Sequence, residues 1–243
     1  MVGAGREKYS ARFATTVADI DAALDLRSVC FRGGTGDDRD QFDGLCRHVV
    51  VEDTQTGAVV CCFRILPLDG GAAIGRSYAA QFYDLGNLSA FSGPVMEMGR
   101  FCIAPGARDP AILRTAWSAM TRFVDEHGVE LLFGCSSFQG TEAERYMDAF
   151  ALLKERHLAP RRWLPRAKAP RVFRFASRLK LNKPNLKLAM KGMPPLLRSY
   201  LVMGGWVSDH AVVDHDLDTL HVFTGLEIKA VPPARKRLLR ALA

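Results

Sequence analysis

At 243 residues the chain has room for one large domain, or one domain with an appendage, and with 48% apolar residues it can bury a real core. No run approaches the roughly 18 uninterrupted apolar residues of a membrane span. The opening stretch MVGAGREKYSARF lacks the apolar core of a secretory signal, so a cytoplasmic protein is expected. The net charge of +7 is unevenly placed: residues 1–153 carry a net −6, whereas residues 154–191 hold 13 basic side chains against the single acid Glu155. Such a block is either a solvated face or an attractor for something anionic: nucleic acid, an acidic protein, or an anionic bilayer.

In chain order, VADIDAALDLRSVCF places Ile20, Ala23, Leu24 and Arg27 at helical spacing, with Asp19 and Asp21 early, and predicts a helix. GGTGDDRDQFDGLC is too rich in Gly and Asp for regular structure and reads as a loop or a very short helix. HVVVED and AVVCCFRILPL flank TQTG as a hairpin. Residues 77–91 suit a short amphipathic helix and a connection. PVMEMGRFCIAP is a strand, followed by Asp109-Pro110, an N-cap with proline at the first helical position. The helix opened there runs to Gly128 with Ile112, Leu113, Ala116, Trp117, Met120 and Phe123 on one stripe. VELLFGCSSF is a buried strand and TEAERYMDAFALLKERHL a second long helix. Prolines then break the chain into short pieces, before a last β-like stretch, LHVFTGLEIKAV, and a basic tail, ARKRLLRALA. This order belongs to an α/β sandwich around a mixed sheet. The organisation expected is a core over residues 1–153 and a basic, proline-broken C-terminal extension over 154–243 packed on it.

Several of the six cysteines sit in apolar runs, and Cys61 and Cys62, adjacent on a strand, point to opposite faces. With no CxxC pair, a reducing compartment and no metal are expected.

The most informative segment is Glu97-Met98-Gly99-Arg100-Phe101, where an apolar strand carries an acid, a base and a glycine. Ionised groups inside a sheet are costly unless paired or working, so either a structural Glu97–Arg100 contact or a catalytic role is open. Phe133–Phe138 ends a strand with the small residues Gly134, Cys135, Ser136 and Ser137, which leave room for a ligand or simply pack against a helix. Cys135 and Ser136 have no histidine at a motif spacing and GxSxG is absent, which argues against a covalent nucleophile. Arg64 lies in a strand and must find a partner. Arg27 and the acids Asp37, Asp38, Asp40 and Asp43 are candidates to line the same site, unless those acids form only a solvated turn.

Taken in order, LRSVCF (26–31), DRDQFDGLCRHVVVED (38–53), CCFRILP (61–67), SYAAQFYDL (77–85), EMGRFCI (97–103), LLFGCSSFQGTE (131–142) and PPLLRSYLVMGGWVSDHAVVDHD (194–216) resemble the ornithine–acyl carrier protein N-acyltransferases. That family makes lyso-lipids from amino acids. More remotely the series resembles the acyl-homoserine-lactone synthases. The resemblance implies a GNAT-like fold, with a mixed central sheet flanked by helices, and transfer of a (3-hydroxy)acyl group to the α-amine of an amino acid.

It further implies a functional set of Arg27, Phe31, Asp40, Asp43, Arg64, Glu97 and Arg100. Glu97 would be the general base, a role that burial, by raising a carboxylate's pKa, would favour. Backbone N–H groups around Phe101, Cys102 and Ile103 would polarise the thioester carbonyl. Arg100 would hold Glu97 and the early acids; read from the residues themselves, Ser136 and Ser137 are expected to border the substrate and Arg64 to grip the acceptor's carboxylate with two prongs. No cofactor is implied, acyl carrier protein being a co-substrate; Pro105–Pro110 lacks the second glycine of a coenzyme A pyrophosphate loop. The basic segment would receive the acidic carrier protein. Trp163, Phe173 and Phe175 within it could also rest on the inner face of an anionic membrane.

One departure stands out. After Phe31 the ornithine enzymes are usually acidic, whereas this chain has Arg32-Gly33-Gly34, which favours a neutral acceptor such as glutamine. The rival readings are an acyl-homoserine-lactone synthase, a coenzyme A-dependent acetyltransferase and a nucleic-acid-binding protein. The last is opposed by the acidic first 153 residues and the lack of any recognised nucleic-acid motif.

Overall fold

The computed structural model describes residues 7–242; the first six residues of the stretch expected to carry no secretory signal, and Ala243 of the tail, lie outside the described residues. The elements are β1 (Tyr9–Phe13), α1 (Val17–Arg32), β2 (Arg47–Asp53), β3 (Val59–Leu68), β4 (Tyr83–Asp84), β5 (Val95–Ile103) and α2 (Pro110–Glu126). There follow β6 (Leu131–Gln139), α3 (Met147–Arg156), β7 (Arg166–Ala167), β8 (Val172–Phe173), α4 (Phe175–Arg178), α5 (Leu186–Gly192) and α6 (Pro195–Val202). The chain closes with β9 (Trp206–Val207), β10 (Ala211–Asp214), β11 (Thr219–Glu227) and α7 (Pro233–Leu242). Among the described residues no helix is long and apolar enough to cross a membrane.

Two compact units interleave along the sequence: 1–66 with 98–128 and 233–243, and 67–97 with 129–232. In the first, β1, β2 and β3 pair antiparallel in order, and the C-terminal half of β5 follows β3. The helices here are fixed by caps that the sequence displays. Thr16 and Asp19 form a reciprocal capping box on α1, and Asp109 accepts the Ala111 N–H ahead of Pro110 on α2. The predicted stripe of α2 is the face that goes inside, with Ile112, Ala116, Trp117, Met120 and Phe123 buried. The basic tail is helical, and Arg240 of α7 makes a two-pronged contact with Asp125 of α2 at 2.8 Å.

In the second unit the N-terminal half of β5 runs parallel to β6, with Val95, Met96 and Glu97 opposite Leu131, Leu132 and Phe133. β6 then pairs antiparallel with β11 along the whole of both strands, from Thr219–Gln139 to Glu227–Leu131. β10 and β8 complete the order. A core built on Phe138, Phe150, Phe175, Leu197 and Val222 lies beside this sheet. Much of the stretch expected as an extension is therefore wired into the second unit's sheet through β11. Trp206 stacks over the β11 backbone at Gly225, where an added Cβ would meet the indole at 2.4 Å.

Three local expectations change. Residues 77–91 form short 3-10 turns and the two-residue β4 instead of an amphipathic helix. The amides of Tyr78 and Ala79 are taken by the carboxylate of Glu97. The second long helix is a 3-10 turn at Ala143–Tyr146 followed by the ten-residue α3. Phe173 and Phe175, expected to rest on a membrane, are core residues at 7% and 0% exposure, and Trp163 is half-buried with its ring 5.4 Å from that of Phe91.

Candidate active site

In the first unit, the Gly- and Asp-rich segment after α1 folds inward. Arg27, on the buried face of α1, is 1% exposed. Its Nε donates to Asp38 at 2.8 Å and its Nη1 to Asp43 at 2.6 Å. Arg100 on β5 donates to the same oxygen of Asp38 at 2.8 Å and to Asp40 at 3.2 Å. Arg64 on β3 grips Asp40 with both nitrogens, at 2.6 and 2.8 Å, and reaches Asp43 at 2.6 Å. The contacts close a ring of alternating sign, Arg27–Asp38–Arg100–Asp40–Arg64–Asp43, in which every member bridges two of the opposite charge and Asp38 is also met by Arg32 at 3.4 Å. Charge-assisted, partly two-pronged bonds of this kind compensate burial where a lone ion would not be tolerated.

The ring sets the local acid–base state. Burial pushes the Asp40 carboxyl up, but Arg64, the Phe42 amide and Arg100 outweigh it and hold it below the usual range. Asp43 is likewise held low, burial being outweighed by Arg27, the Asp40 amide and Arg64. Burial keeps the neighbouring His48 below its ordinary value, against the pull of Asp43. Phe31 lies under the Arg100 guanidinium at 5.8 Å, and Phe42 under Arg64 at 5.8 Å.

Arg100 combines this role with an unusual backbone. Its φ of +53° lies in the left-handed region, so β5 kinks at the residue that must aim its side chain at Asp38 and Asp40. Beyond the kink, Phe101 stacks on Phe63 at 5.7 Å. The Cys102 sulfur lies 3.5 Å from that of Cys62, and the Ile103 carbonyl accepts from the Cys30 thiol at 3.5 Å. The thiols of Cys30, Cys61 and Cys102 are all pushed up in pKa, the first mainly by its bond to Cys102, the second by burial, and the third against the lowering bond of Cys30, which Cys62 and burial together outweigh. They pack as small core residues, and all six cysteines are free.

In the second unit, Glu97 is 5% exposed. Its two oxygens accept the backbone N–H groups of Ala79 at 2.7 Å and Tyr78 at 2.8 Å. These two amides fix the carboxylate's direction. Facing Glu97 in register is Phe133. Further along β6, Ser136 is buried and accepts from the Thr224 hydroxyl at 2.9 Å, while Ser137 is exposed opposite His221.

The structure thus gathers Arg27, Phe31, Asp40, Asp43, Arg64 and Arg100, as the sequence suggested. One role needs correction. The two-pronged grip of Arg64 is on Asp40, not left for an acceptor's carboxylate, because Asp40 folds directly beneath it. Arg100 holds two of the early acids, Asp38 and Asp40. Asp38 is the member that sequence reasoning undervalued. Its side chain is fully buried and that of its neighbour Asp37 is 70% exposed, yet the run Asp37-Asp38-Arg39-Asp40 carries no signal to separate them.

A mixed sheet flanked by helices, whose kinked strand carries Glu97 and Arg100, defines an acyltransferase of the GNAT class. Consistent with this, residues 31–118 match the acetyltransferase (GNAT) domain family. The chain is 32% identical over 239 residues to the L-ornithine N(alpha)-acyltransferase of Rhodobacter capsulatus, covering 92% of this chain and 91% of that one. It is 30% identical to the protein of the same name from Rhizobium meliloti, covering 89% and 79%. A solved N-acyl amino acid synthase from uncultured soil microbes shares the fold with a TM-score of 0.53 at 10% identity, over 91% of this chain and 92% of that one. The chain belongs to the L-ornithine N(alpha)-acyltransferase family.

Proposed function

We propose that the protein moves a (3-hydroxy)acyl group from acyl carrier protein to the α-amine of an amino acid, ornithine in the first instance, opening a route to aminolipids. The observation that carries this reading is the buried Glu97 carboxylate, aimed by two backbone amides. Directly or through a water, Glu97 takes a proton from the acceptor's ammonium. The freed amine attacks the thioester carbonyl, the N–C bond forms, the C–S bond breaks, and the carrier thiol leaves with a proton. Backbone N–H groups around Phe101, Cys102 and Ile103 stabilise the developing oxyanion. Phe31 with the arginine–aspartate ring in the first unit, and Ser136 and Ser137 in the second, are the further residues assigned to substrate binding.

The donor assignment is supported by the exposed guanidinium groups of Arg161, Arg162, Arg166, Arg171 and Arg174, a face suited to an acidic carrier protein. No cofactor enters the reaction. The protein works in the cytoplasm, with a peripheral contact at the inner face of the membrane, and nucleic acid is not a partner. Ornithine is supported by the names of the relatives. Glutamine is the second reading, favoured because α1 ends in Arg32-Gly33-Gly34 and because Asp38, Asp40 and Asp43 are each engaged by guanidinium groups. The test is purified protein with 3-hydroxyacyl–acyl carrier protein, offered ornithine and glutamine separately, with lipids read by mass spectrometry. A lyso-lipid names the acceptor. No product from either, with folded protein, overturns the proposal and turns attention to coenzyme A donors.

A further inference from the structure

Residues 178–191 have two properties that rarely coincide. They carry Arg178, Lys180, Lys183, Lys187 and Lys191 with no acid among them. They also hold four of the ten large apolar side chains found exposed among the described residues: Leu181 at 96%, Leu186 at 49%, Leu188 at 52% and Met190 at 44%. Exposed apolar side chains gathered in this way mark interaction surfaces.

The backbone beneath them is anchored. Lys154 Nζ donates to the carbonyls of Leu179, Lys180 and Asn182 at 2.7, 3.3 and 3.1 Å. Asp148 accepts the Asn185 N–H at 2.7 Å, and the Asn185 side chain caps α5. Leu179 and Ala189 are buried. The turn therefore holds Leu181 outward on a fixed support, and α5 turns Leu186, Leu188 and Met190 to solvent.

We propose that residues 178–191 are a docking surface for an anionic phospholipid bilayer. Leu181 and the outer side chains of α5 enter the boundary between headgroups and acyl chains, and the five flanking cations meet lipid phosphates. A bilayer accepts separately protruding apolar side chains without a matching pocket. An acidic protein partner is met by charge, as on the arginine-rich surface over residues 161–174, where no large apolar side chain is exposed among the described residues. The proposal deepens the peripheral membrane contact proposed above and is independent of the catalytic assignment, since its test needs no turnover.

The experiment is co-sedimentation of the full chain with phosphatidylcholine vesicles, with and without phosphatidylglycerol. Binding should require the anionic lipid and weaken with salt. Leu181→Asp with Leu188→Asp should reduce partitioning by about tenfold or more, since both side chains would then enter the interface charged. Lys180→Gln with Lys183→Gln and Lys187→Gln should weaken binding to anionic vesicles with the thermal melt unchanged. This second variant decides the question if the aspartates disturb folding. No partitioning into anionic vesicles, or partitioning undiminished in the lysine variant, overturns the proposal. So does loss of binding in Arg235→Gln with Arg237→Gln instead, which would move the contact to α7. Protection of the segment from cross-linking by acyl carrier protein but not by vesicles would reassign it to a protein partner and also overturn the proposal.

Discussion

Glu97→Gln changes little in volume and much in chemistry. An amide cannot accept the ammonium proton, so turnover should fall by about 10²-fold or more, the usual contribution of a general base. The glutamine also turns an NH₂ group toward an N–H of Tyr78 or Ala79, so the melt should drop slightly while circular dichroism stays native. Near-normal kcat in a folded variant removes Glu97 from the mechanism. Arg27→Ala should behave in the opposite way, losing stability first. It takes one guanidinium partner from each of Asp38 and Asp43, and removing a buried charged partner of this kind costs about 3–5 kcal/mol, measurable by denaturant titration. Acid should act on the same scale. Burial, and to a lesser degree His210, push His221 down to about 3, and burial also lowers His48. The unfolded chain therefore binds protons from about pH 6.5 downward that the native state refuses, and stability is lost at about 1.4 kcal/mol per pH unit for each such group. Asp40 and Asp43, held low, add their own loss as pH falls below their unfolded values. Unfolding free energies at several pH values should show a shallower slope for His221→Gln between about pH 6.5 and 3. Most of the ring was legible as residue types in unusual places, such as an arginine inside CCFRIL. Burial of Asp38 was not, since it depends on which way a loop turns.

Among the elements, β5 shows how a strand can serve two ends at once. Its first half makes regular parallel pairs with β6, and then Arg100 takes a left-handed backbone. A β-carbon there costs on the order of 1 kcal/mol relative to glycine. Arg100→Gly should therefore be more stable than Arg100→Ala by about that amount, though both lose the ion pairs with Asp38 and Asp40. Equal melts for the two would show that the kink is unstrained. On β11, Gly225→Ala forces a methyl against the rigid Trp206 ring and should destabilise by about 1–3 kcal/mol. The long elements were readable from periodicity and caps: α1, α2, the β2–β3 hairpin, β5, β6 and β11. Residues 77–91 were not, because their helix-like pattern yields to a distant carboxylate that claims the amides of Tyr78 and Ala79. β1 carries Tyr9, Ala11 and Phe13 in alternation, a strand signal that five residues alone make too brief to separate from a loop. β10 exists because β11 supplies a long edge to pair with, and β8 because β10 does, information held elsewhere in the chain.

At the scale of the whole molecule, the separation of charge along the chain survives folding as exposed cations over residues 161–191. If acyl carrier protein is guided there, its KM should rise steeply with ionic strength while kcat changes little, because screening weakens encounter more than chemistry. A KM indifferent to salt would argue that the donor docks elsewhere. The closed arginine–aspartate ring has a consequence for how such a sequence can vary. Removing any one member leaves a net charge and two frayed ends, so each single step is harmful. Removing two adjacent members, such as Arg64 with Asp40, leaves a shorter neutral chain of pairs. Neighbouring replacements should therefore be strongly non-additive, the second partly repairing the first. Descendants of this protein could cross from one arrangement to another only by rare paired changes, and the ring would be inherited as a block.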